Sequence, residues 1–321
     1  MVVTIAPHLN LSNCSTEDTS WLKVVYVFET LLGFLSFPVF AALLFLMSSR
    51  RYAAKYSSPF FVIFRWQAIA GIFCFFHIHL FVEFPTLNIF CDRLLNSFHS
   101  FSFYLTPLYF LSYFLQHLHF CISTLISVNR LSVITLGARY VEVWKWLLNY
   151  SLAGCFGTSL LLSWPLLFSE VALLPMHRGL GFAYNKRIDW LSNSLSTALL
   201  CFVCAIINLL STIVVLCRIR SYRRYSHTNL LSVSIVLASI SVLYSIDQVM
   251  IYYLLHMKED FSQSQNAFAR FYDARFLVNT LATLSPLWAL LILSQQVRSD
   301  ISAIFNPNVK SPHNQPLIKN F

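Results

Sequence analysis

Charged residues are scarce in this chain, and so is glycine. Asp, Glu, Lys and Arg make up 11% of the 321 residues, whereas a soluble domain carries roughly a quarter. A surface that faces water needs more charge than this, so the composition excludes an ordinary soluble domain. With only seven glycines, the chain has no Gly-rich phosphate loop, and it also has no His-Glu-x-x-His motif. We therefore expect no enzymatic activity and no cofactor.

Apolar residues dominate instead. They make up 57% of the sequence, which includes 30 Phe and 15 Tyr. A helix that crosses the hydrocarbon core of a membrane needs about 20 mainly apolar residues and satisfies its own backbone hydrogen bonds. Seven runs meet this requirement, at about 22–47, 59–82, 101–128, 146–168, 191–217, 229–255 and 276–294. We therefore predict an all-α membrane protein, a seven-transmembrane helix bundle that occupies residues 22–294.

The distribution of Lys and Arg between the loops predicts the orientation of the bundle, because cytoplasmic loops carry the excess of basic residues. Thirteen lie on one side of the predicted spans: Arg50, Arg51, Lys55, Arg130, Arg139, Lys145, Arg218, Arg220, Arg223, Arg224, Arg298, Lys310 and Lys319. Eight lie on the other: Lys23, Arg93, Arg178, Lys186, Arg187, Lys258, Arg270 and Arg275. The first side is predicted to be cytoplasmic. The N-terminal segment, 1–21, is then extracellular, and the tail, 295–321, is cytoplasmic.

The net charge of +9 raises the question of a nucleic-acid partner. The basic residues lie beside apolar spans, however, and not in patches interleaved with aromatic residues. We attribute them to membrane topology and to contact with anionic lipid. The expected partner is therefore the lipid bilayer and not a nucleic acid.

The tail begins with a helical pattern. Val297, Ile301, Ile304 and Phe305 fall on one helical face, and Asn306-Pro307 ends the pattern. We predict a short amphipathic helix that follows the seventh span and lies on the inner leaflet.

The predicted extracellular segment contains two glycosylation sequons and a cysteine. Asn10 and Asn13 each begin an Asn-x-Ser tripeptide, which is a glycosylation acceptor on the lumenal side. Cys14 and Cys91 are the two cysteines predicted to be extracellular, where the compartment is oxidising. We hypothesise that they form a disulfide that ties the N-terminal segment to the top of span three.

Two acidic residues lie at matched depth in the outer half of the predicted bundle. Glu29 is seven residues inside the outer end of span one, and Asp247 is eight residues below that of span six, or ~10 Å each at helical rise. Charges at this depth usually face a cavity or a partner. They would suit an extracellular ligand pocket. The alternative is a structural ion pair with a neighbouring helix, with Arg275 as one candidate.

Four histidines in the spans raise the possibility of a metal site. His77 and His79, like His117 and His119, are spaced i,i+2, which places the two rings on opposite faces of a helix. A zinc site on a helix needs i,i+3 or i,i+4 spacing. We therefore predict no metal site.

A polar residue and an arginine, Asn129-Arg130, stand where span three is predicted to leave the membrane on the cytoplasmic side. This pair is well placed to contact a cytoplasmic partner, or to hold neighbouring helices until a ligand shifts them. The alternative is a plain anchor at the membrane edge.

Three short motifs carry a resemblance to a known family. They are Ile126-Ser-Val-Asn-Arg-Leu-Ser-Val-Ile134, Tyr244-Ser-Ile-Asp-Gln248 and Ser285-Pro-Leu-Trp288. Together with seven spans and a basic third inner loop, they resemble G-protein-coupled receptors, and in particular the nematode serpentine chemoreceptors of class gamma. The likeness covers nearly the whole chain.

The resemblance implies a chemosensory receptor of the plasma membrane, in sensory cilia, that binds an extracellular small molecule or peptide and couples to a heterotrimeric G protein. It gives Asn129-Arg130 the place of the activation switch, although no acidic residue precedes Arg130 to form the usual local lock. The coupling surface would add the basic residues of the third inner loop: Arg218, Arg220, Arg223 and Arg224. The ligand contacts would be Glu29, Tyr104, Tyr109, Asp247 and Arg275.

Two other classes of membrane protein remain as alternatives. A transporter or ligand-gated channel is disfavoured because the chain has no internal repeats, no paired Gly-interrupted spans and few charges at the midplane. A structural membrane subunit would need no pocket at all. Ligand-dependent ion flux without a G protein would indicate a channel.

Overall fold

The computed structural model describes residues 20–50, 52–176, 179–185, 188, 193–221, 228–256 and 261–305, and structural statements below concern these residues. Ten α-helices occur in the described ranges: α1 Ser20–Ser48, α2 Ala53–Tyr56, α3 Pro59–His77, α4 Cys91–Phe98, α5 Thr106–Leu136, α6 Tyr140–Ser163, α7 Asn193–Ser221, α8 Thr228–His256, α9 Phe261–Leu293 and α10 Gln295–Phe305. Two strands, β1 Glu170–Met176 and β2 Gly179–Asn185, separate α6 from α7.

Seven of these helices, α1, α3 and α5 to α9, form the predicted transmembrane bundle. Six stretches are long and apolar enough to cross a membrane, and one of them, Thr106–Phe168, contains both α5 and α6. A short 3₁₀ turn, Gly137–Arg139, joins those two helices, and the φ of Gly137 is +54° where α5 ends. The prediction of an all-α, seven-transmembrane membrane protein is confirmed.

Two helices extend well beyond their apolar runs. The third run ends near 128, but α5 continues to Leu136, so Asn129 and Arg130 lie inside the helix and not at its end. The seventh run begins near 276, whereas α9 begins at Phe261. Hydropathy marks the part of a helix that lies in hydrocarbon, and polar helical turns outside that layer leave no such signal.

A β-hairpin follows α6, where the sequence predicted only a loop. β1 and β2 pair antiparallel, with Leu173 opposite Phe182, and Val171 also bridges to Ser102 in the segment before α5. Gly179 has a φ of +98° and lies against the backbone of Thr86, where an added Cβ would come within 2.3 Å of the carbonyl oxygen. The hairpin therefore packs on the outer ends of the second and third transmembrane helices.

The predicted amphipathic tail helix is present as α10, and one polar contact docks it. Asp300 accepts hydrogen bonds from Lys55 Nζ at 2.5 Å and from Tyr56 Oη at 2.6 Å, both in the first inner loop. Burial and the bond to Asp300 raise the pKa of the Tyr56 hydroxyl, so it remains a donor. Val297, on the apolar face of α10, is buried in the core of the bundle. Residues 306–321 lie outside the described part of the chain.

The largest cluster of buried apolar side chains lies in the inner half of the bundle. Its side chains are large and apolar, and they come from α1, α3, α5 and α9, among them Leu43, Ile63, Phe64, Ile122 and Leu290. Other large apolar side chains point outward, such as Phe34 and Trp146. A bundle whose surrounding solvent is lipid has this distribution.

Candidate functional site

The second transmembrane helix changes its winding in its outer half. After α3 ends at His77, the chain continues as a π-helical turn, Ile78–Glu83, and then as a 3₁₀ turn, Phe84–Leu87. Such turns interrupt the regular hydrogen-bond ladder and often mark functional sites. Here the π-helical turn places His79 and Glu83 side by side, with His79 Nδ1 2.7 Å from Glu83 Oε2.

The ring of His79 is held on both faces and at both nitrogens. Tyr26 of α1 stacks on one face with ring centroids 4.0 Å apart, and Phe75 stacks on the other at 5.3 Å. The Nε2 atom lies 2.8 Å from the hydroxyl of Thr30, which is also in α1. Phe75 reaches this position because Gly33 has no side chain, since a Cβ there would lie 2.4 Å from the ring.

Glu29 completes a group of three that we call the outer acidic cluster: Glu29, His79 and Glu83. One ligand atom of each residue lies within 4.8 Å of the others, and all three side chains are buried. Glu29 is 1% exposed, and its Oε1 atom has no hydrogen-bond partner. Thr280 of α9 interacts with the same carboxyl group. Two carboxyl groups this close and this deep need compensating positive charge or protons.

Asp247 and Arg275 lie in the same outer half of the bundle, on α8 and α9. Asp247 is buried and accepts a hydrogen bond from Gln248 Nε2 at 3.3 Å. Arg275 is half-buried and lies within electrostatic range of both Asp247 and Glu83. The structure thus places three of the predicted ligand contacts, Glu29, Asp247 and Arg275, around a common region.

The two predicted tyrosine contacts occupy different environments. Tyr109 is buried in an aromatic group, with ring centroids 5.2 Å from Tyr113, 5.6 Å from Phe182 and 5.4 Å from Tyr184. Burial of its side chain, with Tyr113 nearby, raises the pKa of Tyr184 of β2 to about 12. A small cavity opens beside Tyr184, lined by residues at the outer end of the fourth span, such as Leu162 and Leu166, and by Asn193 at the start of α7. Tyr104 is 86% exposed and therefore does not line the interior of the bundle.

In the middle of the bundle, three polar residues of α5 connect it to other helices. Gln116 donates to Tyr244 Oη of α8 and, at 3.2 Å, to Asn279 Oδ1 of α9. His117 contacts the hydroxyls of Ser163 in α6 and Thr197 in α7, at 3.0 Å each. His119 contacts Gln67 of α3 at 3.1 Å and the carbonyl of Ala282 in α9 at 3.0 Å.

At the inner end, Arg130 lies over an aromatic ring. Its guanidinium carbon is 4.6 Å from the ring centroid of Phe60, the second residue of α3, and the arginine is buried. Its neighbour Asn129 exchanges hydrogen bonds with Tyr140 Oη at 3.0 and 3.2 Å. A cation over the face of a buried ring is stabilised by the ring quadrupole. This contact connects the inner ends of α5 and α3.

Of the predicted coupling residues in the third inner loop, Arg218 is exposed at the end of α7. The Arg220 side chain, Arg223 and Arg224 lie outside the described part of the chain. The sequons at Asn10 and Asn13 lie outside the described residues, as does Cys14.

The described cysteines bear on the hypothesis of a disulfide between Cys14 and Cys91. Cys91 is disulfide-bonded, and six other cysteines of the described ranges are free. The pairing with Cys14 remains a prediction, because that residue lies outside the described ranges.

Two residues of the site were missed by sequence reasoning. Glu83 was not considered because the second apolar run ends at 82, although His79-Leu-Phe-Val-Glu83 has the i,i+4 spacing of residues that meet on a helix. Phe60 carries no local signal that it would contact Arg130, because the two residues are far apart in the sequence. The i,i+2 spacing does place the rings of His77 and His79 against different helices. His77 contacts Ser112 of α5, whereas His79 contacts Thr30 of α1.

Comparison with known proteins gives one family. A family model described as "Srg family chemoreceptor" matches residues 26–301. Serpentine receptor class gamma-3 of Caenorhabditis elegans is 24% identical over 186 residues, which cover 55% of this chain and 52% of that protein. Serpentine receptor class gamma-10 of the same organism is 25% identical over 178 residues, 54% of this chain and 53% of the relative. The chain thus spans about half the length of the curated relatives that it matches.

Proposed function

The chain belongs to the Srg chemoreceptor family, and we propose that it is a chemosensory G-protein-coupled receptor. In this proposal an extracellular small molecule or peptide binds in the outer half of the seven-transmembrane bundle. Binding changes the packing of the helices, and the inner ends then present a surface to a heterotrimeric G protein. The family is one of chemoreceptors and not of enzymes, and we assign the chain no catalytic role.

The observation that carries this proposal is the set of polar contacts made by α5. Gln116, His117 and His119 connect α5 to all of the helices it must move against, which are α3, α6, α7, α8 and α9. Hydrogen bonds in a membrane interior have discrete partners, so their exchange favours two distinct packings over a continuous deformation. A structural subunit has no need of such a layer.

The proposed ligand contact lies around Asp247 and Arg275, with the aromatic group of Tyr109 beside it. Arg275 is within electrostatic range of Tyr244, whose hydroxyl accepts the hydrogen bond from Gln116. A ligand that pairs with Arg275 or Asp247 would therefore act on the residue that connects α8 to α5. Such a ligand shifts the equilibrium only by its differential affinity for the two packings.

The proposed output is the release of Arg130. In the described packing the arginine is buried and lies over Phe60. A shift of α5 relative to α3 would expose the guanidinium to a partner at the cytoplasmic side. The exposed Arg218 and the third inner loop would then complete a basic surface. We place the receptor in the plasma membrane of sensory cilia, where fluorescent tagging of the full chain would locate it.

A second-messenger assay in cells tests the proposal. Wild type, Arg130→Ala and Arg139→Ala would be exposed to a panel of small metabolites and pheromone-like compounds. Arg139 is the matched control, because it is an exposed arginine in the turn just after α5. We expect the wild type and Arg139→Ala to respond, and Arg130→Ala to lose at least nine-tenths of the response at equal surface expression. Each variant removes one positive charge at this edge, so general electrostatic attraction would be the same in both.

Two outcomes would contradict the proposal. An unchanged response of Arg130→Ala would remove Arg130 from the switch. Ligand-dependent ion flux through the purified chain in a bilayer without a G protein would indicate a channel instead.

A further inference from the structure

The hydrogen bonds of Thr30 determine which nitrogen of His79 carries a proton. The Thr30 hydroxyl donates its only hydrogen to the carbonyl oxygen of Tyr26, at 2.7 Å, because a carbonyl can only accept. The same hydroxyl oxygen lies 2.8 Å from His79 Nε2 and must therefore accept from it. In a neutral imidazole this leaves Nδ1 with a bare lone pair.

That lone pair points at a carboxyl group. His79 Nδ1 lies 2.7 Å from Glu83 Oε2. A bare nitrogen and a carboxylate oxygen both carry negative partial charge, so their close approach requires a positively charged species between them or beside them. The candidates are a proton and a metal ion.

Glu29 gives an independent reason to expect an ion at this place. Its side chain is 99% buried, since 1% is exposed, and Oε1 has no hydrogen-bond partner. The Glu29 carboxyl group lies near the imidazole of His79 and the carboxyl group of Glu83, with ligand atoms of all three residues within 4.8 Å of one another. Glu29 also shares a side-chain hydrogen bond with Glu83. Protons shared among His79, Glu83 and Glu29 still leave the Oε1 atom of Glu29 without a partner, whereas a cation would be bound by it.

We infer that the outer acidic cluster binds one divalent transition-metal ion of the zinc class, through His79 Nδ1 and the carboxylates of Glu29 and Glu83. One imidazole and two carboxylates are a ligand set that zinc accepts, and hard ions such as Mg²⁺ and Ca²⁺ prefer oxygen alone. Two negative charges from the carboxylates balance the charge of the ion. Thr30 then holds Nε2–H and orients the ring, as a second layer of hydrogen bonds does at zinc sites.

The geometry needs only a small adjustment. Donors that lie ~2.1 Å from a tetrahedral zinc ion are about 3.4 Å apart. The largest separation in the cluster is within 4.8 Å, and Glu29 Oε1 is free of the hydrogen bonds that would resist its movement. Stacking by Tyr26 and Phe75 holds the imidazole in place meanwhile. Because Glu29 lies on α1 and the other two ligands lie on the π-helical turn after α3, the ion would connect these two elements.

Metal content and thermal stability test this inference on the full-length chain, purified through a tag without histidines and reconstituted in lipid nanodiscs. The protein would be stripped with a chelator, dialysed and titrated with Zn²⁺ alone. We expect the wild type to retain about one zinc per chain by elemental mass spectrometry and to raise its Tm by a few degrees at saturation. His79→Gln and Glu29→Gln should bind at least tenfold more weakly.

His77→Gln is the matched control, since it removes a buried imidazole outside the cluster. It should bind zinc as the wild type does. If the wild type retains no zinc, or if His79→Gln binds as tightly as His77→Gln, the inference is overturned and a proton fills the cluster. This result is distinguishable from failure of the proposed receptor function, because it requires no ligand and no G protein.

A measurement on the wild type alone covers the case in which the variants do not fold. X-ray absorption at the zinc edge should give one imidazole nitrogen and otherwise oxygen in the first shell. Sulfur ligands, or two or more imidazoles, would place the ion elsewhere in the chain and would overturn the assignment.

Discussion

In the inner half of the bundle α3 packs against α5 through large apolar side chains, whereas in the outer half its continuation meets α1 through charged and polar groups as well as apolar ones. Ile63 and Phe64 of α3 and Ile122 and Ile126 of α5 belong to one fully buried core. The outer contact combines a small apolar cluster, which includes Leu22 and Leu87, with His79, whose ring stacks on Tyr26 and is hydrogen-bonded to Thr30.

The difference between the halves separates two tasks. Apolar packing in a membrane interior depends on close fit, because lipid solvates an apolar side chain as well as another helix does. It therefore fixes one arrangement of the helices. Buried charges depend on what neutralises them, so their contacts change when a ligand, an ion or a proton changes. The inner half then sets the resting packing, and the outer half is where it can be altered.

The largest expected effect comes from removing a ring of the inner core. Phe64→Ala should lower the free energy of unfolding by about 3–5 kcal/mol, because it leaves a cavity among fully buried side chains. Phe34→Ala is the matched control, since Phe34 is 72% exposed toward lipid and should cost little. Thermal unfolding in one detergent would compare them. Equal losses would mean that the inner core does not hold the bundle.

A smaller effect is expected at the contact between α1 and the outer half of the second span. In Gly33→Ala the new Cβ would meet Phe75 at 2.4 Å and displace the ring that stacks on His79. Overpacking of this kind costs about 1–3 kcal/mol, and we expect the low end because a ring edge can move. Gly154→Ala is the control, since nothing lies within 4 Å of its Cβ.

The two glycine variants would also be compared by thermal unfolding in one detergent. Gly154→Ala should be neutral, or stabilising by up to ~1 kcal/mol, because alanine is the better helix former. A Gly33→Ala variant as stable as Gly154→Ala would show that the stacking around His79 contributes nothing to the packing of α1.

The helices, and the charged residues within them, could be predicted from the sequence. The seven transmembrane helices and the tail helix α10 were predicted because each leaves a local pattern, a long apolar run or a one-sided face. Glu29 and Asp247 were identified because charges inside such runs are conspicuous, and Arg275, just before the seventh run, was identified as a candidate partner for them. These features depend on residues that are close together in the chain.

The remainder depends on contacts between distant residues. The π-helical turn Ile78–Glu83 has no signature in its own residues, and Glu83 was lost because the apolar run ends before it. The hairpin after α6 was missed because nearly all of its side chains are buried or half-buried, so polar and apolar residues do not alternate along the strands. Phe60 could not be paired with Arg130 without knowing how α3 and α5 pack.

The smallest expected effect in energy lies at the boundary between packing and charge, where Arg130 lies over Phe60. Phe60→Leu keeps an apolar side chain but removes the ring face, so the cation–π attraction of about 1 kcal/mol is lost. The resting packing should weaken by that amount, which is about a fivefold shift in a two-state ratio, and basal second-messenger output should rise accordingly. Phe61→Leu is the control, because the ring contacts of Phe61 are edge-on contacts with Tyr56 and Phe60. If Phe61→Leu raises basal output as much as Phe60→Leu does, apolar packing alone holds the inner end. A rise confined to Phe60→Leu would mean that the resting packing of the inner half also depends on a buried charge, that of Arg130, as the outer half depends on its buried acids.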